Sequence, residues 1–443
     1  MKRPSSLAEK WLWLGVAALA AAGLYALVPV VARTPQLKGL GVMQRFFDVA
    51  LVVHVDLSVL IWFFAMIGMG AAVLMERHRA RWPYWGEAGF ACVALAAVLM
   101  ALSPLDRWQA IKSNYIPVLH NGMFLLSLGL LFAGLVVALL PVVMTYAAPS
   151  RLRQLAPVEL GFVAAALTVL LGLVGYALGA QALPAGLEMT EHYERLFWAG
   201  GHIMQFAFTL LAMVAWLVLL EALGGAAPKR PWLLAIFSIT LLAALASLAG
   251  FVRFGFDEAA FTAYQTQVMI EWGGVGASLM AVAVVVSLRR LEVAREQRAY
   301  ASALVVSLML FFSGGVLGLM ISGQNVTIPA HYHGMIIGIT QALMGMAYAM
   351  LPRFGYAPVA AGRLAFWQPI VYGVGQMMHI GGLAYCGGYG ILRKTAGGFE
   401  NLALDIQIAL GIFGMGGLLA ILGGILFVVV MLRARRLPSA SRQ

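Results

Sequence analysis

The sequence predicts an all-α integral membrane protein. Three observations carry that prediction. Of 443 residues, 62% are hydrophobic and only 11% charged, a balance foreign to ordinary soluble domains. Apolar stretches of about 20 residues recur from end to end, each long enough to cross a hydrocarbon core of roughly 30 Å. The basic residues gather in the short segments between those stretches, which is the charge pattern of membrane topology. The formal charge of +11 therefore points to the lipid bilayer as partner and not to nucleic acid. Cys92 and Cys386 lie in or beside apolar runs without CxxC spacing, so neither a zinc site nor a disulfide framework is indicated.

Twelve spans follow in order. Basic residues in 1–10 lead into an apolar run at 11–32; lacking a small-residue cleavage site, it reads as a retained first helix and not a signal peptide. The second span is 48–75 and the third, a short one, 86–103, separated by 76-ERHRARW-82. The fourth, 114–146, is long enough to tilt or overhang, and the fifth, 157–181, follows 150-SRLRQ-154. Acidic 188-EMTEHYE-194 leads into the sixth, 193–222, and 228-PKR-230 into the seventh, 231–253. The eighth is 264–287, and 289-RRLEVAREQR-298 separates it from the ninth, 299–322. The tenth, 328–352, the eleventh, 365–389, and the twelfth, 404–432, precede 433-RARR-436. With an even number of spans, all these basic segments share one side. The positive-inside rule then places both termini in the cytoplasm of a bacterial-type inner membrane. The pair 393-RK-394 is the exception. The expected organisation is a single multi-pass membrane domain over 1–443. No internal repeat is evident, which counts against an inverted-repeat transporter.

Of the eight histidines, His78 and His192 fall in loops. The other six, His54, His120, His202, His331, His333 and His379, fall within predicted spans and, given the orientation, in one half of the membrane. Intramembrane ionisable groups are costly and mark function. Histidines clustered without cysteine suit haem iron, copper or non-haem iron. His331 and His333 are separated by roughly 200° around a helix axis and about 3 Å along it. They cannot ligate one metal. They face two spaces at one height, the spacing that two haems flanking a helix require.

With twelve spans, a histidine early in the second, one in the sixth and an AHxH pattern opening the tenth, the sequence resembles subunit I of the haem–copper oxidases. That superfamily includes the cbb3-type oxygen reductases and the nitric oxide reductases. The likeness covers nearly the whole chain and rests on 53-VHVDLSVLIWFF-64, 198-WAGGH-202 and 330-AHYH-333 in register. It implies a twelve-transmembrane-helix bundle binding two haems, with b-type haems the default. By the same resemblance His54 and His333 hold a low-spin haem, and His331 is the axial ligand of a high-spin haem. His202 matches a ligand of the second metal, copper or iron. Arg393 and Lys394 match a basic pair that contacts haem propionates, which accounts for the exception in the charge pattern. A c-type cytochrome or quinol donor and additional membrane subunits are implied as partners.

The departures from the family pattern concern the second metal. Gly250 and Phe251, in 241-LLAALASLAGFVRFGF-256, stand where two adjacent histidines are needed, and no histidine occurs between 203 and 330. Phe206 occupies the position one turn after His202 where one subgroup carries its redox tyrosine and the nitric oxide reductases a glutamate. The eighth span lacks the family's lysine and has only Glu271. One imidazole is a poor copper site, since three normally supply the affinity. His120 and Glu271 are the remaining candidate donors, without geometric support. Arg253 is a candidate propionate partner, Asp56 a candidate buried acid, and His379 a packing residue among glycines.

Two functions follow as expectations. The first is a respiratory haem-dependent oxidoreductase component, passing electrons from the low-spin to the high-spin haem for oxygen or nitrogen-oxide reduction. The second is a copper-free dihaem electron-transfer or gas-binding subunit of a larger complex. A transporter with a histidine-lined path is a distant third.

Overall fold

A computed structural model describes residues 6–33, 46–77, 83–107, 109–254, 258–321, 325–389 and 403–436. The helices are α1 (Leu7–Arg33), α2 (Phe47–Arg77), α3 (Pro83–Leu102), α4 (Gly122–Tyr146), α5 (Pro157–Ala182), α6 (Met189–Ala222) and α7 (Arg230–Phe254). They continue as α8 (Glu258–Trp272), α9 (Val275–Leu288), α10 (Arg298–Leu319), α11 (Thr327–Met350), α12 (Arg363–Gly388) and α13 (Leu404–Arg436). Among the described residues, 11 stretches are long and apolar enough to cross a membrane, with α8 and α9 together supplying one of them. The remaining predicted span, the eleventh at 365–389, is α12. It is 26 residues long, but Gln368, Gln376 and His379 on it reduce its hydropathy, and it is not among the 11.

Two local departures from regular helix are informative. The span expected from residue 114 begins at Gly122. Before it, Ala110–Ile111 and Val118–Leu119 pair antiparallel, with Ala110 opposite Leu119. Pro117 cannot donate to a continuing helix. Asn121 caps α4 instead: its side chain accepts from the Phe124 N–H at 2.8 Å and donates to the Ser103 carbonyl at 3.0 Å. The second departure is in α2, where Leu57–Ile61 form a π-helical turn directly after Asp56. Asp56 is fully buried, and neither carboxyl oxygen has a hydrogen-bond partner among the described residues.

The chain divides into two compact units. The first comprises Met1–Ala18, Asp56–Leu217 and Gly225–Arg290. In it, α3 meets α4 at Gly89 and Gly134, where a Cβ on Gly89 would lie 2.7 Å from the Gly134 carbonyl oxygen. Gly175 lets α5 approach the Ala199 carbonyl of α6 in the same way. The second unit comprises Leu19–Val55, Val218–Gly224 and Leu291–Gln443. There α10 and α11 pack glycine on glycine: a Cβ on Gly334 would lie 2.6 Å from the Cα of Gly314. Ser307 then donates to the Gly338 carbonyl at 2.7 Å. Gly375 and Gly416 bring α12 and α13 equally close. Small residues are the expected device, because lipid gives helices no hydrophobic reason to associate and close backbone contact must supply the attraction.

Candidate functional site

Of four histidines in the second unit, three share a mode of support. His54, on α2, places Nδ1 at 2.9 Å from the Ala22 carbonyl oxygen of α1. His331, in the first turns of α11, places Nδ1 at 2.8 Å from the Gly314 carbonyl of α10. His379, on α12, places Nδ1 at 3.1 Å from the Phe413 carbonyl of α13. A carbonyl can only accept, so in each ring Nδ1 carries the proton and Nε2 the lone pair. An imidazole anchored through one nitrogen to a backbone carbonyl is the usual dress of a metal-binding histidine. The ring of the fourth, His333, meets that of His379: the centroids are 4.9 Å apart and the planes 33° apart. His54, His331 and His333 are half-buried, whereas His379 is buried.

Glycine shapes the His331 position. The ring lies over Gly318 of α10, where a Cβ would come within 2.5 Å of Nδ1. Gly314, one turn earlier, supplies the carbonyl. The glycine pair 314 and 318 therefore does two things: it brings α10 against α11 and it gives the imidazole a bed. His331 thus faces α10 while His333 faces α12, as their angular separation on one helix requires.

His202 of α6 is in the first unit and is supported differently. Its ring nitrogens lie 3.1 Å (Nδ1) and 3.0 Å (Nε2) from the Tyr115 hydroxyl, and Nδ1 is 3.4 Å from Gln265 Oε1. Tyr115 and Trp198 both meet the His202 ring edge-on. Tyr115 reaches it from the loop before α4, which is tied down where Asn114 donates its backbone N–H to Glu194 at 2.8 Å. Gly201 leaves room for the tyrosine ring, which any side chain there would overlap. Tyr115 lies outside the spanning helices. Burial, with Glu194 nearby, holds its phenol well above the ordinary tyrosine range, so the hydroxyl stays neutral and able to bond the imidazole.

The surroundings of His202 are apolar. Ile203 and Phe206 join Ala243, Ala244 and Val268 in a buried cluster. Gly250 packs against Tyr264, and the Phe251 ring meets that of Phe261 at 4.4 Å with the planes tilted by 49°. Where a copper ion would need two more imidazoles, α7 presents surface for packing against α8. Gln265 donates to the Ser247 carbonyl at 3.3 Å, completing a chain from Tyr115 through His202 to α7. Among the described residues, no three His, Cys, Asp or Glu side chains are grouped to hold a metal ion. The anchored rings of His54 and His331 each offer one lone-pair nitrogen, as a haem iron requires, and the neighbours of His202 named above bring no further imidazole to it, as a copper ion would require.

The other sequence candidates are placed as follows. His120 is not on a helix: it precedes the Asn121 cap and pairs through Nδ1 with the Tyr193 hydroxyl at 3.0 Å. His192 is in α6, beside Tyr193, and not in a loop. Glu271 is exposed and accepts from Gln267 on its own helix at 2.8 Å, away from His202. Arg253 is exposed, its guanidinium over Phe254. His78, Arg393 and Lys394 lie outside the described residues. Sequence reasoning missed Tyr115 and Gln265. A tyrosine in a loop and a glutamine in a span with a conspicuous glutamate carried no periodic mark.

A family profile described as cytochrome c and quinol oxidase polypeptide I matches residues 6–419. An uncharacterized protein of Rickettsia prowazekii (strain Madrid E) is 28% identical over 491 residues, covering 96% of this chain and 95% of the relative. An uncharacterized protein of Aquifex aeolicus (strain VF5) is 27% identical over 354 residues, covering 78% of this chain and 85% of the relative. Among solved structures, a heme-copper terminal oxidase dimer determined by cryo-EM matches with a TM-score of 0.76 over 98% of this chain and 85% of that one. At 15% identity that likeness is one of fold.

Proposed function

The chain belongs to the cytochrome c and quinol oxidase polypeptide I family, and from that premise we propose that it is a dihaem respiratory membrane protein whose second-metal position holds no copper. His54 and His333 would hold a low-spin haem, and His331 a high-spin haem. The observation that carries the haem assignment is the carbonyl anchoring of His54 and His331, which presents Nε2 as the lone-pair nitrogen of each. When bound, the haems, b-type by default, would supply reversible one-electron storage. The chain's own residues orient the imidazoles of His54 and His331 and raise their basicity through the carbonyl bonds. Arg393 and Lys394 remain the proposed propionate contacts.

Two readings of the high-spin position differ in what is reduced. In one, electrons from a c-type cytochrome or quinol reach oxygen or a nitrogen oxide. In the other, the chain is a copper-free electron-transfer or gas-binding subunit beside further membrane subunits. The engagement of His202 by Tyr115 and Gln265, amid apolar packing, favours the second. An inner membrane with cytoplasmic termini agrees with the basic segments.

Haem and metal stoichiometry of the purified chain tests the proposal. Two haem irons without an equivalent of copper are expected, and a full copper equivalent would sink the reading of the second-metal position. Replacing His54 with Ala should abolish the low-spin haem spectrum. An unchanged spectrum would remove His54 from the ligand set.

A further inference from the structure

We propose that His379 is a positioning residue for the low-spin haem: packed against His333, it sets the plane of that imidazole. This rests on His333 being an axial ligand. Three rings from three helices meet in tilted contact. Phe413 of α13 lies 4.1 Å from His379 of α12, with planes 32° apart, and His379 lies 4.9 Å from His333 of α11, with planes 33° apart.

His379 is the rigid member of the three. It is 8% exposed, and its Nδ1 donates to the carbonyl of Phe413, the residue whose ring it covers. Its backbone is held as tightly, since a Cβ on Gly416 would lie 2.6 Å from the His379 amide nitrogen. A Cβ on Gly417 would press on Nδ1 itself at 3.3 Å. Two glycines of α13 thus form the cradle that seats the ring.

Contact with a ring so held constrains His333. The terminal torsion of a histidine is broad, so an imidazole does not choose its plane unaided. His54 and His331 have theirs chosen by hydrogen bonds to backbone carbonyls. For His333 a flat ring supplies the same constraint by contact. The angle between the two ligand planes of a bis-imidazole haem governs the spread of its ferric g values, and neighbours of a ligand tune the metal. The ring contact therefore has a spectroscopic consequence that general destabilisation would not produce.

The experiment uses the full haem-loaded chain, with His379→Ala, His379→Phe and His333→Ala. Electron paramagnetic resonance of the ferric low-spin haem is read together with its midpoint potential. In His379→Ala the largest g value should shift or broaden, and the potential should move, with haem content retained. His379→Phe keeps a ring against His333 without the hydrogen bond, so it should restore the parental g values. A parental spectrum in His379→Ala, alongside a lost signal in His333→Ala, overturns the proposal and leaves the ligand assignment standing. A low-spin signal that survives His333→Ala overturns the ligand assignment first, and the positioning role with it. Loss of the signal in both His379 variants would make His379 itself a ligand and also overturns the proposal. Should His379→Ala fail to assemble, His379→Phe decides: parental g values support the ring contact, and shifted ones refute it.

Discussion

At the scale of single residues, the histidines differ in what holds their rings: backbone carbonyls at His54, His331 and His379, and a phenol at His202. An Nδ1 bonded to a carbonyl leaves one nitrogen committed and the other basic. Tyr115, by contrast, places its hydroxyl within 3.1 Å of both His202 nitrogens. Tyr115→Phe should remove that partner at a cost of about 1 kcal/mol, the scale of hydrogen bonds between membrane helices. In a double-mutant cycle with His202→Ala, measured by thermal unfolding in detergent, the two changes should be non-additive by a similar amount. Strict additivity would mean that the pair is not coupled. Because burial raises the Tyr115 phenol, its neutral form persists as pH rises. The tyrosinate absorbance gained around pH 10 should then be the same in Tyr115→Phe as in the parent, and a deficit of one tyrosine in the variant would contradict it.

At the scale of elements, glycine on α10 joins packing to chemistry. The run 313-SGGVLG-318 reads in the sequence as ordinary close packing, and Gly314 does pack on Gly334. What the sequence does not disclose is that the same helix face holds His331, through the Gly314 carbonyl and the bare surface of Gly318. Gly318→Ala would put a methyl within contact of Nδ1, so the ring must move. Overpacking of this kind costs about 1–3 kcal/mol. The expected outcome is a carbon monoxide difference spectrum lost or shifted, with the low-spin bands intact; an unaltered carbon monoxide adduct would argue against His331 as the axial ligand there. The loop before α4 teaches a related lesson. Its apolar residues extend the hydropathy of the fourth span back to residue 114, but Pro117 and the Asn121 cap stop the helix at Gly122. Hydropathy measures solubility in lipid and is blind to hydrogen-bond termini.

At the scale of the whole molecule, carbon monoxide should bind one of the two haems, and turnover with a reduced donor decides between the two readings of function. Sustained oxygen or nitric oxide consumption would restore the oxidase reading, and its absence in a fully haem-loaded chain would favour the copper-free subunit. By itself the sequence determined the membrane class, the order of the helices and the family, because these depend on hydropathy, on charge placement and on a few spaced histidines. It also disclosed that the two histidines of AHYH diverge, since helix geometry alone separates neighbours two apart. Which neighbour each ring meets was decided only by tertiary structure. His331 on Gly318, His333 on His379 and His202 under Tyr115 join positions up to 87 residues apart. No local period records such pairs; they arise when helices pack closely enough for a carbonyl, a glycine face or a phenol to reach a ring.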